Sequence, residues 1–294
     1  MTEAYAPNKR MKKVHLSDKA RAALILKWVF LGGMIVFTLY PVIYTVLGSF
    51  KTNAELTQGG GFFPSVWHFE NYYKAFIQAD FTKYTLNSVV VSVSVTILAV
   101  ATTSLAGFAM ARKDFAGKKI LLALYMSMMF VSLGSVTLYP IYELLRALKI
   151  NKTMFALVIA LTGGQATNVF LVMGFTKGIP RELDEAAIID GCSIYGVYSR
   201  IILPLSKPIL AVVALFSFRN AWNDYITSLI MTISIPKLQT LTVAVVQLKY
   251  SVNSAAEWHI MLAGASIAII PILIVYMFSN KQFIAGLTAG AVKG

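Results

Sequence analysis

The sequence predicts an all-α membrane protein that crosses the bilayer six times. Hydrophobic residues make up 57% of its 294 residues and charged residues only 13%, whereas charged residues are about a quarter of an ordinary soluble domain. Apolar stretches long enough to cross the hydrocarbon core recur along the chain. Lysine and arginine collect on one side of the resulting topology. Together these observations predict a polytopic fold.

Six segments are predicted to span the membrane because each is apolar and almost free of charge. They are residues 28–50, 87–111, 120–142, 153–176, 209–234 and 260–280. Pro41 is expected to kink the first span, and Gly163 and Gly164 interrupt the fourth. Small residues in the second span should let neighbouring helices approach closely.

The positive charges favour a topology with both chain ends in the cytoplasm. Of 26 lysine and arginine residues, 17 fall in the predicted inner segments, eight in the outer loops and one inside a span. Retention of positive charge on the cytoplasmic side also explains the net charge of +13 without a nucleic-acid partner. Arg146, Lys149 and Lys152 run against this bias. The predicted parts are an N-terminal cytoplasmic tail (1–23), a membrane domain (24–280) with an inner connection (177–207), and a C-terminal cytoplasmic tail (281–294).

Residues that carry enzymatic chemistry are sparse. Cys192 is the only cysteine, which excludes an internal disulfide and a cysteine-based metal cluster. His15, His68 and His259 are far apart in the sequence, and no HExxH, GxSxG or Walker-type glycine-rich loop occurs. We therefore expect no catalytic residue, no bound metal or cofactor, and no means for this chain to hydrolyse ATP itself.

One charged segment, residues 180–208, lies between two apolar spans and organises the second half of the chain. Pro180 suits the first position of a helix, and Gly191 suits the left-handed residue that ends one. Ser193 is placed to cap a second helix that runs toward Pro204. The pattern predicts a helix–glycine turn–helix unit, and a connection of this length between spans is usually functional.

This segment resembles the EAA loop of binding-protein-dependent ABC importer permeases. The matching residues are Glu185, Ala186, Ala187, Asp190, Gly191, Ile201, Leu203 and Pro204. Cys192 stands where alanine is usual, and Tyr198 where phenylalanine is usual. The alternative to an EAA loop is a solvated amphipathic loop that binds no partner.

The resemblance implies the type I importer (MetI-like) fold and a bacterial cytoplasmic-membrane location. It implies that Glu185, Ala186, Ala187, Asp190 and Gly191 couple the chain to a cytoplasmic ATPase. The expected partners are a second permease subunit, two ATPase subunits and an extracytoplasmic solute-binding protein. In such a complex the ATPase subunits use ATP and Mg²⁺, and the membrane subunits alternate between inward and outward access.

Charged residues inside the fifth predicted span form a second candidate site. The segment is Arg219, Asn220, Ala221, Trp222, Asn223 and Asp224. A charge at that depth costs at least about 2.5 kcal/mol and normally faces a bundle interior or a wet cavity. An ion pair between Arg219 and Asp224 is the structural alternative, although their spacing of five is poor for one helix face.

The Trp222-Asn223-Asp224 segment resembles one found in carbohydrate-importing permeases, where the corresponding span lines the translocation cavity. That resemblance implies that Trp222 stacks on a sugar ring and that Asn223 and Asp224 bind its hydroxyl groups. Arg219 and Asn220 complete the predicted substrate pathway. Because arginine pairs with carboxylates through two hydrogen bonds, the sequence also suggests an acidic oligosaccharide, such as a uronate oligomer, as substrate.

The C-terminal residues GLTAGAVKG would be a flexible end by composition alone. They resemble the end of the maltose-type sugar permeases, in which such a tail inserts between the two ATPase subunits. The resemblance implies that Gly286, Leu287, Thr288, Gly290 and Lys293 contact the ATPase.

Three other functions fit a polytopic chain. An ion-driven secondary transporter predicts inverted repeats and more intramembrane acids, and an integral membrane enzyme predicts clustered histidines or carboxylates near one membrane face. Neither pattern occurs in this sequence. The same fold could also carry a peptide or a metal, but the tail and the Trp222-Asn223-Asp224 segment favour a sugar.

Overall fold

The computed structural model describes residues 18–130, 134–250 and 256–291. All regular secondary structure in these ranges is helical. The all-α prediction is confirmed. The α-helices are α1 (Asp18–Gly48), α2 (Asn53–Thr57), α3 (Glu70–Gln78), α4 (Phe81–Arg112), α5 (Lys118–Phe130), α6 (Leu138–Ala147), α7 (Met154–Thr162), α8 (Ala166–Gly178), α9 (Glu182–Ile189), α10 (Ile194–Val197), α11 (Leu203–Leu205), α12 (Lys207–Asn223), α13 (Ile226–Thr232), α14 (Leu241–Gln247) and α15 (Trp258–Ala291).

Fewer helices that could span a membrane occur among the described residues than the sequence predicts. Three described helices are long and apolar enough to cross a membrane, at Ala22–Gly48, Phe81–Arg112 and Trp258–Phe278. Two bent pairs raise the number to five if each pair counts as one span: α7 with α8, bent by 56°, and Ile194–Leu205 with α12, bent by 76°. Six spans are therefore not confirmed.

Two predicted spans are not single α-helices among the described residues. The segment 120–142 is shared between α5 and α6, with a 3-10 turn at Gly134–Thr137 before α6. The segment 209–234 is broken after α12, because Asp224 has extended backbone dihedral angles that end the helix. Apolar composition favoured a single helix in the first case, and in the second the polar segment 219–224 was interpreted as a substrate site within one span.

Helix α4 is the central element, and α7, α8 and α12 pack around it. Its Val91, Val95 and Ala99 are almost fully buried. A Cβ atom added at Gly107 of α4 would lie 2.7 Å from Cγ1 of Val172 on α8, so the two backbones approach closely because this position has no side chain. The predicted role of small residues in this span is confirmed.

The bundle is closed by α15, which packs on α12, α3 and α14. By contrast, α1 contacts mainly α15, and its long apolar side chains remain exposed. An exposed apolar helix of this length suits a lipid environment.

The connection between α1 and α4 is ordered by specific hydrogen bonds. Asn53 donates from Nδ2 to the Ala256 carbonyl and accepts at Oδ1 from the Trp258 N–H, which ties α2 to the start of α15. The backbone N–H of Thr52 and that of Ser65 each donate to the Glu55 carboxylate, at 2.9 Å. These bonds favour the charged carboxylate and lower the pKa of Glu55 from 4.5 to about 2.

Candidate functional site

The segment that resembles the EAA loop, residues 182–205, is called the coupling segment below. Its first helix is α9, and Gly191 follows with φ of +85°, in the left-handed region expected from the sequence. Ser193 accepts a hydrogen bond from the Gly196 N–H and caps the second helix. The predicted helix–glycine turn–helix is confirmed. Pro180 is not at the first helical position, because α9 begins only at Glu182 after its N-cap, Arg181.

The second helix of the coupling segment runs from Ile194 to Leu205 without a break, through a π-helical turn at Tyr198–Ile202. In this turn the Leu203 N–H donates to the carbonyl of Tyr198, five residues earlier. A wider turn suits the approach to Pro204, which lacks an N–H and would crowd a regular α-turn. The chain then bends by 76° into α12.

The two sides of the coupling segment differ in exposure. Ala187, Val197, Tyr198 and Ile202 are buried against Phe108 of α4. The other predicted coupling residues are exposed: Glu185, Ala186, Asp190 and Gly191. Ala187 therefore packs inside the chain, whereas its four neighbours in the motif are available to a partner.

Exposed apolar side chains extend this surface, and the sequence analysis did not single them out. Ile189 is 85% exposed and Tyr195 is 73% exposed, and Ile188 and Ile194 are also exposed. The sequence feature that could have identified them is their position on two short predicted helices of an otherwise charged segment. Ile188 and Ile194 also line a groove of about 170 Å³ beside Glu185.

The buried side of the coupling segment is tied to α4 by polar bonds. Arg112, the last residue of α4, places Nε 2.6 Å from Oδ2 of Asp184, and both side chains are largely buried. The same guanidinium donates from Nη2 to the Ile179 carbonyl at 2.9 Å. The hydroxyl groups of Ser104 and Tyr198 are 2.8 Å apart and buried.

A second feature, called the polar cleft below, lies where α7 breaks into α8. It has a volume of about 280 Å³. Its walls are Leu161, Gly163, Gly164, Gln165, Thr167, Asn168, Phe216, Ser217, Arg219 and Asn220. Gly164 has φ of +70°, which a residue with a side chain would rarely adopt, and this allows the turn between the two helices.

The structure brings two predicted pathway residues, Arg219 and Asn220, to this cleft, and both are exposed. The guanidinium of Arg219 lies 5.9 Å from the ring centre of Phe216, and its Nη2 donates to Oδ1 of Asn220 at 3.3 Å. Its contacts are thus with neighbours on α12. Facing them, Asn168 donates hydrogen bonds to Gln165 and Ser217. The sequence analysis missed Gln165 and Asn168, although both follow the noted Gly163-Gly164 interruption.

The other three predicted pathway residues lie elsewhere. Trp222 is 3% exposed inside a core cluster, so its ring faces are covered by protein. Asp224 accepts at Oδ1 from the Ser228 N–H at 2.7 Å and so bonds to the first turn of α13 from one residue before its N-cap, Tyr225. Asn223 is exposed at the end of α12. Stacking of a sugar on Trp222 is not compatible with its burial in this conformation, and one carboxylate oxygen of Asp224 is already bonded within the chain.

The predicted ATPase-contacting residues fall at the end of the chain. Gly286, Leu287, Thr288 and Gly290 belong to α15, which continues to Ala291, and Lys293 lies outside the described residues. Among the described residues, no three His, Cys, Asp or Glu side chains lie together as metal ligands would.

Comparison with known proteins identifies the family. Residues 103–288 match the family of the binding-protein-dependent transport system inner membrane component. The chain belongs to this family. The matched range contains the coupling segment and the polar cleft, and it makes the chain a membrane component of a transporter rather than an enzyme. The ion-driven secondary transporter is therefore not retained as an alternative.

Relatives of similar length support this membership. The chain is 31% identical over 283 residues to the arabinooligosaccharides transport system permease protein AraQ of Halalkalibacterium halodurans, covering 94% of this chain and 100% of the relative. It is 30% identical over 274 residues to the maltodextrin transport system permease protein MdxG of Bacillus subtilis, covering 92% and 96%. In fold it is similar to a chain of a bacterial ABC transporter involved in the import of the acidic polysaccharide alginate. The TM-score is 0.76 at 23% identity, over 91% of this chain and 99% of that one.

Proposed function

We propose that this chain is a permease subunit of an ATP-driven importer of oligosaccharides, and that the imported sugar is acidic. Two full-length relatives are named for arabinooligosaccharides and maltodextrin. The observation that carries the acidic substrate is Arg219, an exposed arginine at the wall of the polar cleft. The fold similarity to an alginate importer is consistent with that chemistry.

The polar cleft offers suitable groups for an acidic sugar. Arg219 supplies positive charge, and Asn220 and Gln165 supply amide donors and acceptors for hydroxyl groups. The cleft also includes the first turn of α8, which has no side-chain cap and whose N–H groups favour negative charge. Breaks in spanning helices are typical of substrate sites in transporters. The pathway is completed by a second, related permease subunit.

The coupling segment would transmit the energy of ATP hydrolysis. Two ATPase subunits, which hold ATP and Mg²⁺, dock on the exposed surface formed by Glu185, Ala186, Asp190 and Gly191. Both termini lie in the cytoplasm, and the C-terminal residues Gly286, Leu287, Thr288, Gly290 and Lys293 contact the same subunits. A solute-binding protein delivers the sugar from outside, and closure of the ATPase pair rocks the bundle between two access states.

The experiment that tests the acidic substrate compares two sugars in one reconstituted complex. Arg219→Met removes the positive charge and keeps much of the side-chain volume. We expect its uptake of a uronate oligosaccharide to fall by about tenfold or more, since a charged hydrogen bond is lost, while uptake of a neutral oligosaccharide of equal length is unchanged.

Arg146→Met is the matched control, because Arg146 is exposed and pairs with Glu143 away from the cleft. Equal uptake of the acidic sugar by Arg219→Met and the wild type would reject the acidic assignment. Equal loss for both sugars would indicate a structural role for Arg219.

A further inference from the structure

The inner end of α4 presents one face to the coupling segment. Ser104, Phe108 and Arg112 are spaced by four residues, so they lie on one side of the helix. Each of the three contacts a residue of the coupling segment. Ser104 bonds to Tyr198, and the ring of Phe108 lies 5.2 Å from the Tyr198 ring. Arg112 pairs with Asp184. Both helices of the coupling segment are thus attached to the same helix.

The ion pair of Arg112 with Asp184, which attaches the coupling segment to α4, is largely buried rather than on the surface. Its side chain is 6% exposed and that of Asp184 is 15% exposed, so neither charge is well solvated. The guanidinium also reaches the carbonyl of Ile179, the residue that ends α8. Arg112 therefore joins three elements, α4, α8 and α9, and its planar group with several donors suits this task better than an ammonium group does.

Helix α4 also supports the polar cleft. It packs along both α8, which carries Gln165 and Asn168, and α12, which carries Arg219 and Asn220. The coupling segment and both walls of the cleft therefore rest on the same helix. The attachment at Arg112 adds a polar connection between the coupling segment and α4, beside the contacts of Ser104 and Phe108 with Tyr198.

We propose that Arg112 is a positioning residue that clamps the coupling segment to α4, so that the two move together during the transport cycle. This inference rests on the proposed function. Loss of the clamp weakens the coupling between the two ends: the ATPase still binds to the exposed side of the coupling segment and hydrolyses ATP, but the walls of the polar cleft follow its movement less completely.

The test uses the complete complex in liposomes, with the sugar-loaded binding protein, and measures sugar taken up per ATP hydrolysed. We expect Arg112→Met and Asp184→Asn each to lower this ratio by at least about fivefold while the ATPase stays bound. The double variant should be no worse than Arg112→Met, because that change already removes the pair with Asp184. Lys113→Met is the control, since it removes the neighbouring positive charge and leaves the pair intact.

Two further variants keep the test decisive if the methionine variant does not fold. Arg112→Lys retains a charge for Asp184 but loses the planar group that also reaches Ile179, so its ratio should lie between those of the wild type and Arg112→Met. In a Cys192→Ser background, Arg112→Cys with Asp184→Cys should transport poorly until a short bifunctional thiol reagent links the two positions, and should then recover.

The clamp is rejected if Arg112→Met or Arg112→Lys transports as efficiently as the wild type, if the effects of the single variants multiply in the double variant, or if linking the two cysteines abolishes uptake. If the wild-type complex itself shows neither stimulated ATP hydrolysis nor sugar uptake, the proposed function fails instead, whatever the variants do.

Discussion

The indole N–H of Trp222 donates a hydrogen bond to the carbonyl oxygen of Ala268, with 3.3 Å between the two atoms. The bond joins the end of α12 to the middle of α15, and Phe218 stacks on the indole at 5.8 Å. Arg219, three residues before Trp222, lies at the polar cleft instead. Within one segment of α12, Trp222 therefore holds two helices together, whereas Arg219 is open to a ligand.

Replacing Trp222 should reduce stability rather than sugar recognition. Trp222→Ala leaves a cavity in a well-packed cluster, and truncation of a buried tryptophan costs about 3–5 kcal/mol. We expect a lower unfolding temperature in detergent and a lower yield of folded protein. In the protein that does fold, the KM for sugar should equal that of the wild type.

Asn223→Ala is the control for this prediction, because Asn223 is exposed beside Trp222. If Trp222→Ala unfolded at the wild-type temperature and raised only the KM, the ring would have to face the sugar in another state of the cycle.

Asp224 should also act through structure, because its carboxylate accepts a hydrogen bond from the first turn of α13. A net hydrogen bond contributes about 0.5–1.5 kcal/mol, so Asp224→Ala should lower the unfolding temperature, while Asp224→Asn, which keeps the acceptor oxygen, recovers most of it. Thermal unfolding of the two variants checks this. Equal stability of Asp224→Ala and the wild type, together with impaired uptake, would return Asp224 to the substrate pathway.

Local signals were sufficient to predict the coupling segment. Gly191 and Ser193 specify a turn and a cap through their own backbone and side-chain preferences, so neither depends on distant residues. The small residues of the second span likewise predicted a close approach of helices, and α4 and α8 approach closely at Gly107 and Val172.

Distant contacts explain what the sequence did not predict. Whether Trp222 faces a cavity or the core depends on Ala268 and the rest of α15, which no local pattern specifies. Arg112 was counted as an inner positive charge, but its partner Asp184 is 72 residues later in the sequence, beyond the described α-helices α5 to α8. The break at Asp224 was not predicted because the polar segment 219–224 was interpreted as a substrate site within one span.

The conformation of Gly191 should be required for the turn of the coupling segment. No heavy atom lies within 4 Å of a Cβ added there, so the cost of Gly191→Ala comes from its φ of +85° alone, about 1–2 kcal/mol. Gly191→Asn should cost less, because asparagine tolerates this region. Stimulated ATP hydrolysis and ATPase binding should both be closer to the wild type in Gly191→Asn than in Gly191→Ala.

Gly174→Ala is the matched control, since Gly174 has the same free space but lies inside α8 with an ordinary helical φ. Alanine there should stabilise the helix by roughly 1 kcal/mol. If both alanine variants behaved alike, the left-handed backbone would not be the reason that glycine is needed at 191.

The loop around Glu55 should lose its order only in strong acid. The folded pKa of about 2 lies below the ordinary 4.5, so the stabilisation is complete above 4.5 and disappears as the pH falls toward 2. Cleavage of this loop by pepsin measures its order. Glu55→Gln should be cleaved faster than the wild type near pH 4.5, and the difference should vanish toward pH 2.

Glu143→Gln provides the control for this loop, because it removes one carboxylate on α6 and none of the bonds to Thr52 and Ser65. A difference between Glu55→Gln and the wild type that grew as the pH fell would contradict the sign of the effect.

The central claim is that the coupling segment connects this permease to ATP hydrolysis. The most direct measurement is ATPase activity stimulated by loaded binding protein, in a reconstituted complex that carries Glu185→Lys and Gly191→Pro. The first change reverses a charge on the exposed surface, and the second is incompatible with φ of +85°. We predict loss of stimulation or loss of ATPase binding. Full stimulation in the assembled complex would show that this segment does not transmit the signal, and would contradict the account.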